Sequence, residues 1–259
     1  MKRLLITLIG CLILVGATTA SAATKTVSAS GGGVTAKVTY TPTSQAPGGF
    51  KNPSISISGG KIPPYAAKVN IKACSVECQF LGKALAVKDL SHSGHYDAVL
   101  GVNTGGAHCC SYIQVYYPAG NTYKVSTRDF GDPGANLEDL NNNGKTEFVT
   151  ADDSFAYLFS DYAESGLPLQ ILSFDNGKYT NVTRHYPKQL QKDAASWLKY
   201  YKQDKSSGRN GLIAAWAADE YNLGASAKAN STLQSEVAKH HITAKFVSQL
   251  KAYLKKRGY

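Results

Sequence analysis

The sequence predicts an α+β protein, mainly antiparallel β with two propeller-blade-like repeats, followed by a C-terminal helical subdomain. Three observations predict it. Apolar and polar residues alternate through the early part of the 259-residue chain, with Gly-Gly and Pro-Pro punctuation between runs. A loop pattern at Asp89 returns 50 residues later at Asp139. Beyond Pro187 the apolar spacing changes to that of helices. With 43% hydrophobic residues the chain can bury a core, which excludes a disordered protein.

The first element is an export signal. Lys2 and Arg3 form a basic start, residues 4–17 an apolar run, and Ala20, Ser21 and Ala22 a small-residue cleavage site. Leu8, Ile9, Gly10 and Cys11 match a lipobox, so a lipoprotein is the competing reading and an uncleaved anchor the third. The apolar run is too short to span a bilayer comfortably, and no transmembrane segment is expected after cleavage. The expected location is secreted, extracellular or in the cell envelope. The expected organisation is a signal peptide (1–22), an N-terminal β region (23–83), a blade-like repeat region (84–186) and a basic helical region (187–259).

In the N-terminal region, Val34, Ala36, Val38 and Tyr40, then Ile55 and Ile57, then Ala67, Val69 and Ile71 alternate at period two, which predicts strands. Removal of Cys11 leaves Cys74, Cys78, Cys109 and Cys110. An even count in an oxidising compartment predicts disulfides, either cross-paired between the two clusters or with a local Cys74–Cys78 loop. The alternative is a soft-metal site that adds His92, His95 and His108.

The repeat region follows. Asp89, Ser91, Ser93, Gly94 and Asp97 correspond in spacing to Asp139, Asn141, Asn143, Gly144 and Glu147, and each set leads directly into a strand. Downstream, Ile113, Gln114 and Val115 correspond to Leu169, Gln170 and Ile171, and Tyr123 to Tyr179, at an offset of 56. Each unit ends in a hairpin with a glycine turn, and strand-rich units of this length are blade-sized. Two cannot close a ring, so an open assembly completed by the N-terminal strands is expected.

The Asp139 loop has the spacing of a calcium site. Asp139, Asn141 and Asn143 offer side-chain oxygens, Gly144 allows the sharp turn, Lys145 offers its carbonyl and Glu147 closes the shell. It is not an EF-hand, since Thr150 stands at the twelfth position and a strand follows. An Asp- and Asn-rich turn without metal is the alternative. The Asp89 loop is the poorer version: Ser91, Ser93 and His95 leave only Asp89 and Asp97 charged, and there the plain turn is favoured.

On these two motifs, with Asp139-x-Asn141-x-Asn143-Gly144-x-x-Glu147 as the fuller copy, and on the segment from Thr104 to Cys110, residues 84–184 resemble the FG-GAP/VCBS repeat proteins. The chain is also similar to uncharacterised secreted actinobacterial proteins that contain such repeats. The resemblance implies a calcium-stabilised β scaffold used for adhesion or carbohydrate contact, and implies no reaction.

The last region predicts four helices. Leu190, Ala194, Trp197, Leu198 and Tyr201 form one face behind Pro187; residues 212–223 are almost wholly apolar; Ser231 to Gln234 match a capping box; Thr243 opens the last helix. Residues 187–259 carry 13 Lys and Arg against five Asp and Glu, a net of +8, whereas residues 24–186 are balanced. That basic region suits an anionic envelope polymer, and no aromatic-interleaved basic run suggests specific nucleic-acid binding. No Gly-x-Ser-x-Gly element occurs, and disulfides would consume the thiols. The functional expectation is a non-catalytic, calcium-stabilised scaffold or binding module for an anionic envelope polymer or a carbohydrate. The alternative is a cell-envelope hydrolase that pairs carboxylates among Asp152, Asp153 and Glu147.

Overall fold

The computed structural model describes residues 23–43, 48–71, 78–106, 110–204 and 206–259. The export signal and Cys74, His108 and Cys109 lie outside them. Four strands come first: β1 (Lys25–Gly31), β2 (Val34–Pro42), β3 (Gly49–Gly59) and β4 (Tyr65–Lys68). Then β5 (Cys78–Lys88), β6 (Asp97–Asn103), β7 (Ser111–Ala119) and β8 (Thr122–Asp129) complete an eight-stranded sheet of order β1-β2-β3-β5-β6-β7-β8, with β4 also on β3. A second sheet of order β12-β11-β10-β9 uses β9 (Asn136–Glu138), β10 (Glu147–Ala151), β11 (Leu169–Asp175) and β12 (Lys178–Asn181). Among the described residues every strand pairing is antiparallel.

Alternation decides which face each strand buries. Val34, Ala36 and Val38 of β2 and Ile55 and Ile57 of β3 are buried while Lys37 and Ser56 are exposed. Their apolar face meets Leu85 and Val87 of β5, Ala98, Leu100 and Val102 of β6, and Tyr116 of β7 in one core. The eight-stranded sheet therefore folds over on itself. The glycine turn between β1 and β2 permits this approach, because a β-carbon on Gly32 would collide with the Tyr96 ring at 1.9 Å. The third alternating run yields only β4; Val69 leaves the sheet with its N–H on the Pro53 carbonyl.

β6 and β7 are buried on both faces, which makes them the middle layer. Their second face, Val99, Ile113 and Val115, packs on Phe148, Leu172 and Phe174 of the second sheet. Each such fully buried side chain contributes about 1.5–3 kcal/mol of transfer free energy. Ala98 and Phe148 hold the same position after their respective loops. Each points back into the core shared with the preceding layer. The two four-strand units thus stack front to back.

The helices are α1 (Pro187–Gln203), α2 (Asn210–Asn222), α3 (Ser226–Ala238) and α4 (Ala244–Arg257). Pro187 takes the first helical turn, where its missing N–H costs nothing, and Thr243 Oγ1 caps α4 by accepting from the Phe246 N–H at 3.1 Å. The expected start of the third helix is corrected: α3 begins five residues before Ser231, so the capping-box residues lie inside it. Its buried pair, Ala229 and Leu233, one helical turn apart, requires helix upstream of Ser231. Trp216 is 1% exposed at the centre of the helical core, which also takes Phe155 from the loop between β10 and β11. Among the described residues no helix is long and apolar enough to cross a membrane.

Candidate functional site

The two predicted loops adopt one geometry. In the first, Asp89 Oδ1 and Oδ2 accept the N–H groups of Ser93 (3.0 Å) and Gly94 (2.7 Å). In the second, Asp139 Oδ1 and Oδ2 accept those of Asn143 (3.0 Å) and Gly144 (2.8 Å). The fourth residue is left-handed in both, His92 at φ 57° and Asn142 at φ 56°, and the glycines follow at 77° and 83°. The closing carboxylates also correspond. Asp97 Oδ2 accepts from the Leu90 N–H at 3.2 Å, and Glu147 Oε2 from the Leu140 N–H at 3.5 Å. Carboxylate-to-amide bonds of this kind hold an oxygen-rich loop in its curl.

The differences between the loops lie in what the side chains can offer. Asn143 Oδ1 accepts from the Lys145 N–H at 2.8 Å, while Ser93 Oγ accepts the corresponding His95 N–H at a longer 3.4 Å and also the Ser91 hydroxyl at 2.9 Å. Glu147 is 2% exposed and its carboxylate lies beside the Tyr186 side chain, next to the start of α1. Burial, then Glu147, pushes that phenol up. Asp97 is also buried; its desolvation, reinforced by Asp89 and Asp175, raises its pKa to about 7 against the Leu90 N–H. Among the described residues no group of three or more His, Cys, Asp or Glu side chains is gathered to hold a metal, so any cation here would need Asn and carbonyl oxygens beside the carboxylates. His92 and His95 are exposed in the first loop. Cys78 and Cys110 are each disulfide-bonded.

The expected carboxylate pair lies elsewhere. Asp152 and Asp153 do not continue a strand: Asp152 caps a single 3-10 turn, Asp153–Phe155, with its Oδ1 accepting from the Ser154 N–H at 3.1 Å. Both line a 270 Å³ hollow with Arg128, Gln170 and Arg257. Asp152 is buried under α4, where its Oδ2 accepts from the Tyr259 hydroxyl at 2.8 Å and Arg257 stands 3.4 Å from Oδ1. Burial, with Asp132, Asp129 and Asp152 nearby, raises the pKa of Asp153 despite the Asp132 N–H. Glu147 does not line this hollow.

Two buried acids lie where the sequence reads as an apolar helix, Asp219 and Glu220, and Glu220 is paired with Lys228 at 2.6 Å. Asp219 of α2 is 0% exposed, faced by Asp193 of α1 and the Leu169 N–H, with neither oxygen at full hydrogen-bond geometry. The Leu169 N–H donates instead to Asp193 at 3.2 Å, as does Trp197 Nε1 at 2.8 Å. The sequence signal is the acidic pair Asp219 and Glu220 directly after the apolar run 212–218. The Arg257 and Tyr259 contacts with Asp152 span 105 and 107 positions and have no local signal.

No family model matches the chain. It is 37% identical over 153 residues to a probable thylakoid lumen protein of Synechocystis, which is 54% of this chain and 44% of that protein. An uncharacterized protein of Sinorhizobium fredii is 28% identical over 160 residues, 60% of this chain and 24% of that one. The chain thus spans less than half the length of either relative. A Xanthomonas protein related to the type IV secretion system aligns over 61% of this chain and 92% of its own, at 13% identity and a TM-score of 0.20, too low to indicate a shared fold.

Proposed function

We propose that the protein is an exported β scaffold that serves as a binding module, with calcium held in the Asp139 loop as a structural ion. The observation that carries the reading is the matched geometry of the two loops. The residues fit the ion: carboxylates stand at both ends, Gly144 provides the curl, and a carboxylate oxygen that accepts one amide keeps a second lone pair for a cation. Asp139, Asn141, Asn143, the Lys145 carbonyl and Glu147 would hold it. The front-to-back stacking of four-strand units supports a blade-like reading of the repeats, in line with the FG-GAP/VCBS resemblance. The Synechocystis relative, named for the thylakoid lumen, supports a non-cytoplasmic compartment. Two disulfides that use all four of Cys74, Cys78, Cys109 and Cys110 suit that compartment.

The partner on this reading is an anionic envelope polymer or a carbohydrate, with the basic helices facing the anion. A pull-down of the whole chain on isolated cell wall, at low and high salt, tests it. Salt-sensitive retention that falls when Lys188, Lys192, Lys255 and Lys256 become Gln supports the basic face, and unchanged retention overturns it. Deleting the helices is not a clean test, because Phe155 and Tyr259 join the sheet to their core.

A cell-envelope hydrolase is the second reading, favoured by one observation: Asp152 and Asp153 share a hollow with two arginines. Against it, Asp152 is occupied as a helical cap and as the anchor of α4. Release of soluble sugar from the wall by wild type, lost in Asp153→Asn, would establish it.

A further inference from the structure

Next to the first loop the layers leave a cleft of 520 Å³. Its polar wall is that loop itself, with Ser91, Ser93 and His95 at the rim and Asp97 at the buried end. The facing wall comes from the β11–β12 turn, Asp175 and Asn176, and from the β7–β8 turn, Pro118 to Gly120, backed by Tyr117. Lys61, between β3 and β4, stands at the mouth. A smaller hollow of 100 Å³ shares Lys61, His95 and Pro118 with it and runs on past Tyr96 and Tyr123. All three layers therefore contribute to one elongated space.

The substitutions that weaken the first loop as a cation site acquire a use here. Ser91, Ser93 and His95 stand where the second loop has Asn141, Asn143 and Lys145, and they supply short donors and acceptors to the cleft. Asp89 is committed to the Ser93 and Gly94 amides, which keeps the loop curled and its side chains presented. We infer that the copies have divided the work, the second loop holding an ion and the first forming a subsite for a short neutral oligosaccharide. Vicinal hydroxyls need paired donors and acceptors, which Asp97, Asp175, Asn176 and His95 provide, while Pro118, Ala119 and Ile62 offer apolar surface to a sugar ring. Asp175 set against the single Lys61 leaves the cleft without an excess of positive charge, which disfavours a polyanion. The combined volume suits more than one sugar unit, in the usual range for ligand pockets.

The sugar subsite rests on the binding-module reading but not on calcium in the second loop. The test is an isotope-edited NMR titration of the whole chain with cellobiose, chitobiose and digalacturonate at millimolar concentration, with and without calcium. At least one neutral disaccharide should shift the amides of Ser91, Ser93, Gly120 and Asn176, and do so more strongly than the anionic one. His95→Ala and Asp175→Ala, both at exposed positions, should each weaken that binding about tenfold without altering the remaining spectrum. No shift from either neutral sugar, shifts confined to other residues, preference for digalacturonate, or variants that bind like wild type would overturn the inference. Sugar binding that persists in a protein that takes up no calcium would overturn the calcium reading alone.

Discussion

The His92 imidazole of the first loop lies directly over Gly144 of the second. A β-carbon on Gly144 would come within 2.5 Å of its Nδ1 and Cε1. The glycine that gives the second loop its sharp turn thus also makes room for the first loop. Both residues are left-handed, at φ 57° and 83°, so the contact is made between two turns already fixed by their own aspartates.

Gly144→Ala should therefore cost more than Gly94→Ala. Both carry left-handed strain of about 1–2 kcal/mol, but only Gly144 has a neighbour in the way, since nothing lies within 4 Å of a β-carbon on Gly94. Urea unfolding of the two variants and of each in a His92→Ala background checks this. The excess cost of Gly144→Ala should vanish without His92. Equal costs in the wild-type background would show that the loops do not press on one another.

Asp219 should make the fold lose stability as pH rises. Burial, then Asp193, lifts its pKa from 3.8 to about 10. Below about pH 4 both folded and unfolded chains hold the proton, and its contribution is fully present. Between there and about pH 10 the unfolded chain releases the proton while the folded chain keeps it, so stability is progressively lost. Asp219→Asn cannot ionise, so it should gain on wild type steadily from pH 5 to pH 8. A constant difference across that range would contradict the buried neutral carboxyl.

Tyr259→Phe should loosen the helices from the second sheet. It removes the 2.8 Å bond to Asp152, a buried carboxylate left with Arg257 at 3.4 Å and Ser154. The expected cost is about 1–3 kcal/mol. Hydrogen exchange should show the loss at α4 and the 153–155 turn, while β1 to β4 stay protected. Uniform loosening, or none, would show that the contact is not a local tie.

Much of the architecture was legible because alternation and helical spacing are local. The period-two residues of β2 and β3, the change at Pro187 and the cap at Thr243 each act within a few positions. The twin loops were legible for the same reason, since an aspartate, a glycine five residues on and a closing acid fix the curl among themselves. What failed was anything set by distant partners. The start of α3 follows from what Ala229 and Leu233 bury rather than from the Ser231 motif. The tie between Asp152 and the end of the chain depends on Tyr259, 107 positions away. The cleft beside Asp97 draws on turns from three layers, and no window of sequence contains it.

Calcium in the Asp139 loop is the central claim to test. The most direct measurement is calorimetric titration of calcium into chelator-stripped protein, paired with thermal melts with and without the ion, for wild type and Asp139→Ala. Wild type should bind, and its melting temperature should rise with calcium, by about 2.7 kcal/mol of added stability at a hundredfold excess over Kd. Asp139→Ala should show neither heat nor shift, and without calcium it should melt below wild type because the Asn143 and Gly144 amides lose their acceptor. No heat and no shift in wild type would contradict the account and leave two turns held by aspartate alone.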